Sequence, residues 1–293
     1  MIGLLLVSIG TDLPETTNSI TSCALGHGDI DVGDSLGSAM TQMTLILGLL
    51  PLIGGTSKVK RKEIIVVGSC QISAFILAVS IAGQGEFTRI NALFLVTSWI
   101  IFMLITRNVI RKEHVIPRSA SKTLHHLMIA ILGFIGIAVG AYILVQSVIV
   151  LSSVLHISEY FVSFFLVAIG TSLPELVVDL AALRKKQYQF AIGDIIGSSI
   201  VDAIVSIGTG QLLFPTKVSG ELARITGLYA IFASIIVLFV LAFREKVDKK
   251  AGILFIALYV FIRNIRHNMK TLHRMLFTCT VMCSFVLRTN YHI

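Results

Sequence analysis

The chain has 293 residues, of which 55% are hydrophobic and only 14% charged, with a formal net charge of +8. A soluble domain carries about a quarter charged residues, so this composition excludes a soluble globular protein and implies an all-α polytopic membrane protein. The basic residues lie in short clusters between apolar spans, which fits orientation in a bilayer and not binding to nucleic acid.

The first apolar span covers about 1–26 and is broken at Gly10–Pro14. The second covers about 30–54, with a break expected at Gly33–Ser38 and with Asp34, like Asp194 in the second repeat, read as a cap of a broken helix. The basic loop 57–63 leads into spans at about 64–83 and 90–106. The longest loop, 107–125, holds Arg107, Arg111, Lys112, Arg118 and Lys122. Further spans follow at about 126–154, 160–183, 188–214, 222–243 and a short 251–262. Arg184, Lys185 and Lys186 form one basic connection, and Arg244, Lys246, Lys249 and Lys250 another. Every second loop is basic, which puts 57–63, 107–125, 184–187 and 244–250 on the cytoplasmic side. The expected organisation is an N-terminal transmembrane repeat at 1–106, a cytoplasmic loop at 107–125, a C-terminal repeat at 126–262 and an atypical tail at 263–293. Cys23, Cys70, Cys279 and Cys283 show neither zinc spacing nor a disulfide framework.

Set against itself at an offset of 160, the chain repeats without a gap. Leu6, Val7, Ile9, Gly10, Thr11, Leu13, Pro14 and Glu15 match Leu166, Val167, Ile169, Gly170, Thr171, Leu173, Pro174 and Glu175. Gly33, Asp34, Gly37, Ser38 and Gly48 match Gly193, Asp194, Gly197, Ser198 and Gly208. The identities fall on glycine, proline, acid and hydroxyl, while the apolar filler drifts. With the loop assignment above, Glu15 and Glu175 sit on helices running in opposite directions, as an inverted-topology repeat requires.

A carboxylate at the bilayer centre costs at least ~3 kcal/mol on insertion scales, so Glu15, Glu175 and Asp202 need a functional reason to be there. Pro14 and Pro174 remove backbone donors and release carbonyls near Gly10 and Gly170. Carboxylate, hydroxyl and carbonyl oxygens at mid-membrane suit a hard cation such as calcium. The motifs contain no Cys or His, which argues against zinc or copper. Ser198 and Asp202 are four residues apart and share one helical face.

The pairs GTDLPE with GDSLGSAMTQ, and GTSLPE with GDIIGSSIVD, resemble the two alpha repeats of the sodium/calcium exchangers in the cation/calcium antiporter superfamily, most closely the prokaryotic and archaeal members. The resemblance covers about 1–262 and implies two repeats of about five helices each, discontinuous at the motifs. It also implies exchange of calcium for sodium by alternating access, in a monomer of the plasma membrane, with calcium and sodium as transported ions and no cofactor or enzymatic activity. By resemblance, Glu15 and Glu175 are the central calcium carboxylates, and Thr11 and Thr171 complete the cage with the carbonyls of Ser8 and Ala168. Ser172, Ser38, Ser198 and Asp202 line the flanking sodium sites. Two positions depart from the pattern: Asp12 stands opposite Ser172, as a sodium ligand or a protonated acid, and Gln42 stands opposite Asp202. Asp179 is expected to be a hydrogen-bonding or vestibule residue, and His27 and His156 outer-loop residues.

The segment at 126–154 has no partner at the 160-residue offset, which leads to the expectation that roughly 35 residues of a first helix are missing. The run RNIRHNMKTLHR after the short last span is expected to come from a shifted reading frame or misassembly. The alternatives to sodium/calcium exchange are a proton/calcium exchanger of the same superfamily, a calcium-permeable channel and a truncated inactive copy. The proton exchangers usually carry a G-N-x-x-E motif without proline, and GTSLPE favours sodium.

Overall fold

The computed structural model describes residues 10–107 and 123–263, nearly all of them helical. In chain order the helices are α1 (Leu13–Ala24), α2 (Gly28–Gly54), α3 (Arg61–Ala82), α4 (Arg89–Arg107), α5 (Thr123–Leu155), α6 (159–171), α7 (Leu173–Arg184), α8 (Tyr188–Leu213), α9 (Gly220–Arg244) and α10 (Lys249–Arg263). Among the described residues seven helical stretches are long and apolar enough to cross a membrane: those in α2, α3, α4, α5, α8 and α9, and α6 with α7 as one broken span. The protein is an all-α polytopic membrane protein.

The 160-residue offset holds in the backbone to the residue. α1 and α7 start at Leu13 and Leu173 and end at Ala24 and Arg184. The bends before them share one conformation, with φ −80° and ψ 4° at Asp12 and φ −81° and ψ 7° at Ser172. Pro14 and Pro174 therefore sit in the first turn of a new helix, where a missing N–H costs nothing. α2 and α8 each contain a π turn, at Gln42–Ile46 and Asp202–Ser206.

The interior irregularity of α2 and α8 is not where the glycines suggested. Helical geometry runs unbroken through Gly28–Thr41 and Tyr188–Val201, so the expected break at Gly33–Ser38 is absent. Gly33 and Gly37 serve close approach: a Cβ on Gly33 would lie 2.6 Å from the Tyr160 carbonyl oxygen, and one on Gly37 would collide with that of Phe164. α6 thus lies directly on the backbone of α2. Asp34 and Asp194 consequently occupy helix interiors, and neither is a cap.

The two halves are packed on each other. α3 runs along α9, with Gly68 against Leu238 and Gly227 against Val79. α10 closes on the second half of α2, where a Cβ on Gly48 would lie 2.9 Å from the Gly252 carbonyl oxygen. α4 closes on the second half of α8, where a Cβ on Gly208 would lie 3.2 Å from that of Ala92. Gly48→Val and Gly208→Val are accordingly expected to destabilise by similar amounts, about 1–3 kcal/mol each. Thermal denaturation in detergent checks this; a large effect at one site alone would contradict equivalent packing.

The loops gather at two faces. At one, Phe87 N donates to Thr216 O (3.1 Å), Val218 N to Gly85 O (2.9 Å), and His27 pairs with Glu159 (2.8 Å). At the other, β1 (Ser57–Lys58) pairs antiparallel with β2 (Lys246–Val247), Ser57 opposite Val247 and Lys58 opposite Lys246. Here Tyr188 Oη also donates to Gly54 O (3.2 Å), so the basic loops at 57–63, 184–187 and 244–250 share this face. Cys23 and Cys70 are buried free thiols, whereas Cys279 and Cys283 lie outside the described residues.

Candidate cation site

The two bends bring the first turns of α1 and α7 to the middle of the molecule, with Glu15 and Glu175 each in the first turn of its helix. A helix N-terminus carries partial positive charge and unpaired N–H groups, which favours a carboxylate there. Packed against α1 are α2, with Ser38 and Gln42, and the π turn of α8 that starts at Asp202; α7 packs on the first half of α8, which carries Ser198. Gln42 and Asp202 are the first residues of the π turns in α2 and α8, a third lies in α6 at Ser163–Val167, and such turns concentrate at functional sites.

Every described member of the expected set is buried. Glu15, Ser38, Gln42, Ala168, Ser198 and Asp202 are 0% exposed, Asp12, Ser172 and Glu175 1%, Thr171 6% and Thr11 9%. Ser8 lies outside the described residues. Glu15 lies within electrostatic reach of Glu175, Asp202, Asp34 and Asp12. Asp12 faces Asp202, Glu175 and Asp194, and Gln42 sits beside Asp202 without a formed hydrogen bond.

Both carboxylate oxygens of Asp12, Glu15, Glu175 and Asp202 are buried with no hydrogen-bond donor, and so are the hydroxyls of Ser172 and Ser198. No buried lysine or arginine stands among these residues. Buried polar atoms are ordinarily satisfied, and like charges repel strongly in a medium of low dielectric. Oxygen ligands of this kind, with no sulfur or imidazole among them, match a hard cation. Among the described residues no three acidic, His or Cys side chains converge closely enough to hold a metal ion as they stand. A cation entering the site has to draw these oxygens together.

One residue in the site was not expected there. Asp34 accepts hydrogen bonds from Asn18 Nδ2 of α1 (2.5 Å), Thr171 Oγ1 of α6 (3.0 Å) and Ser38 Oγ of α2 (3.5 Å). Ser38 Oγ is also 3.1 Å from Thr171 Oγ1 and 3.4 Å from the Ala168 carbonyl oxygen, which accepts in addition from Ser172 N (3.2 Å). Asp34 therefore joins the broken span to both neighbouring helices of the first repeat. Asn18, three residues after Glu15, has Val178 as its counterpart, so the repeat comparison gave no hint of it.

The model of a family described as sodium/calcium exchanger protein matches residues 1–107 and 125–265. The inner membrane protein YrbG of Escherichia coli is 30% identical over 237 residues, covering 74% of this chain and 70% of its own length. The solved structure of the sodium-calcium exchanger NCX_Mj is similar with a TM-score of 0.63 at 28% identity, covering 89% of this chain and 84% of its own. An H+/Ca2+ exchanger, CAX, has the same fold, with a TM-score of 0.72 at 12% identity over 98% of this chain and 81% of its own.

Proposed function

The chain belongs to the sodium/calcium exchanger family, and we propose that it is a secondary antiporter of the cell membrane that exchanges calcium for sodium by alternating access. The observation that carries this reading is the set of buried, unpartnered carboxylates, Glu15 and Glu175 with Asp12 and Asp202, at the centre of two repeats with matching bends. Two carboxylates balance one calcium ion. Sodium ions, carrying one charge each, satisfy the same oxygens when calcium leaves. Glu15 and Glu175 serve both ions, Thr11, Thr171 and the Ala168 carbonyl complete the calcium shell, and Ser38, Ser172, Ser198, Gln42 and Asp202 receive sodium.

The test is radiolabelled calcium uptake into proteoliposomes loaded with sodium. Uptake should require an outward sodium gradient and stop when sodium is equal on both sides. Flux indifferent to any counter-ion gradient would overturn exchange and favour a channel.

A second reading, exchange of calcium for protons, rests on Asp12, whose carboxylate faces Glu175 where the other repeat has the hydroxyl of Ser172. The extra acid supplies a place for a proton next to the calcium carboxylates. Uptake that follows a pH gradient and not a sodium gradient would select this reading.

A further inference from the structure

Asp179 is not accounted for by the central site. It follows Glu175 by four residues on α7, so it lies on the same helical face about 6 Å nearer the face of the basic loops. It is 0% exposed, and neither of its carboxylate oxygens has a hydrogen-bond partner. The charges in its reach are those of Asp194 on α8 and Glu175.

The other repeat shows what an inert residue does at this position. The counterpart of Asp179 is Ser19, whose Oγ donates to the Ser206 carbonyl oxygen (2.6 Å) in the π turn of α8. Gly210 packs tightly over the same serine. On that side a small hydroxyl ties α1 to α8 and closes the gap. On the α7 side the counterpart of Ser206 is Ile46 in the π turn of α2, and neither oxygen of Asp179 makes a hydrogen bond to it. The tie is absent there, and an unpartnered acid stands in its place. α7 ends at Arg184, followed by Lys185 and Lys186, so a cation approaching from this face meets a positive rim first.

We propose that Asp179, with Asp194, forms a second cation station, between the basic face and the central site, that receives calcium on its way to Glu175. The proposal rests on the exchanger reading above and adds a one-sided step to it. Two carboxylates are too few to retain a resident metal, and water completes the shell of a cation halting there. The station attracts the ion past the basic rim and passes it one helical turn along the same face. Sodium can use the same oxygens, but the doubly charged ion gains more from two acids.

The experiment compares wild type, Asp179→Asn and Asp179→Ser in membrane vesicles of both orientations. The Asn and Ser variants should raise KM for calcium about 10-fold from one face and leave KM from the other face unchanged. Asp179→Glu, which keeps the charge, should restore the wild-type value. Equal changes from both faces, or none, would overturn the station. A larger change in KM for sodium than for calcium would overturn the assignment to calcium. Equilibrium dialysis of the detergent-purified full chain with radiolabelled calcium separates this proposal from the exchanger reading. Asp179→Asn should remove a weak binding event while a Glu15-dependent event persists, whether or not vesicles show counter-ion dependence. Wild-type vesicles lacking counter-ion-driven uptake would sink the exchanger reading alone, and unchanged weak binding in Asp179→Asn would sink the station.

Discussion

Replacing Glu175 or Glu15 by glutamine is expected to abolish calcium exchange while leaving the fold as stable as before, or more so. Glutamine has nearly the shape of glutamate, so packing in the first turns of α1 and α7 is preserved. What is lost is one of the charges that balance a divalent ion. Charge count is a main determinant of calcium affinity at oxygen sites, and one carboxylate fewer lowers it about 100-fold or more. Stability should not follow. Both oxygens of each glutamate lack a hydrogen-bond donor, so there is no bond to lose, and removing one acid relieves repulsion from Asp12, Asp202 and the opposite glutamate. Radiolabelled calcium uptake together with a thermal melt in detergent checks both halves. A variant that loses uptake by melting earlier would show that the glutamates are structural.

Asp34→Ala is expected to do the reverse, lowering stability first and transport as a consequence. The substitution removes the acceptor that Asn18, Thr171 and Ser38 share: Asn18 Nδ2 is left without a partner, while Thr171 Oγ1 falls back on the Val167 carbonyl (3.2 Å) and Ser38 Oγ on that of Ala168 (3.4 Å), which cuts the link between the three helices at α1. An orphaned buried donor costs about 1–3 kcal/mol, and with the two lost hydroxyl bonds a total of about 3 kcal/mol is expected. Asp34→Asn keeps one carbonyl oxygen as acceptor and should fall between the two. Thermal melts of the three proteins in the same detergent give the order. An alanine variant as stable as wild type would mean that Asn18 finds another acceptor, and that Asp34 does not hold α1, α2 and α6 together.

The residues legible in the sequence were those whose chemistry is out of place in a greasy helix. Pro14 with Glu15, repeated as Pro174 with Glu175, marked the bends because proline and acid cannot be apolar filler. Their positions agree with the backbone to the residue. Gly33 and Gly37 were equally visible but ambiguous, since a glycine can weaken a helix or admit another backbone, and only the partner helix decides. The approach of Tyr160 and Phe164 settles it for close packing. The π turns at Gln42 and Asp202 carry no local signal, because a one-residue wide turn is stabilised by contacts from elsewhere. Asp34 was misread as a cap for the same reason: its partners Asn18 and Thr171 come from helices 16 and 137 residues away along the chain.

The cross-packing of the halves bears on how such a chain can arise. α4 seats on α8, α10 on α2, and α3 on α9, so the surfaces that each repeat must cover are covered by the other. A half-length ancestor inserted in a single orientation would leave those glycine-lined faces open to lipid. Two copies inserted in opposite orientations would cover them mutually, because each face is complementary to its own inverted counterpart. The unit on which selection for folding acts is then the antiparallel pair, and joining the copies into one gene fixes their ratio at one to one. Once joined, the copies are free to diverge at single positions, as Ser19 and Asp179 have done, giving a near-symmetric scaffold two chemically different entrances.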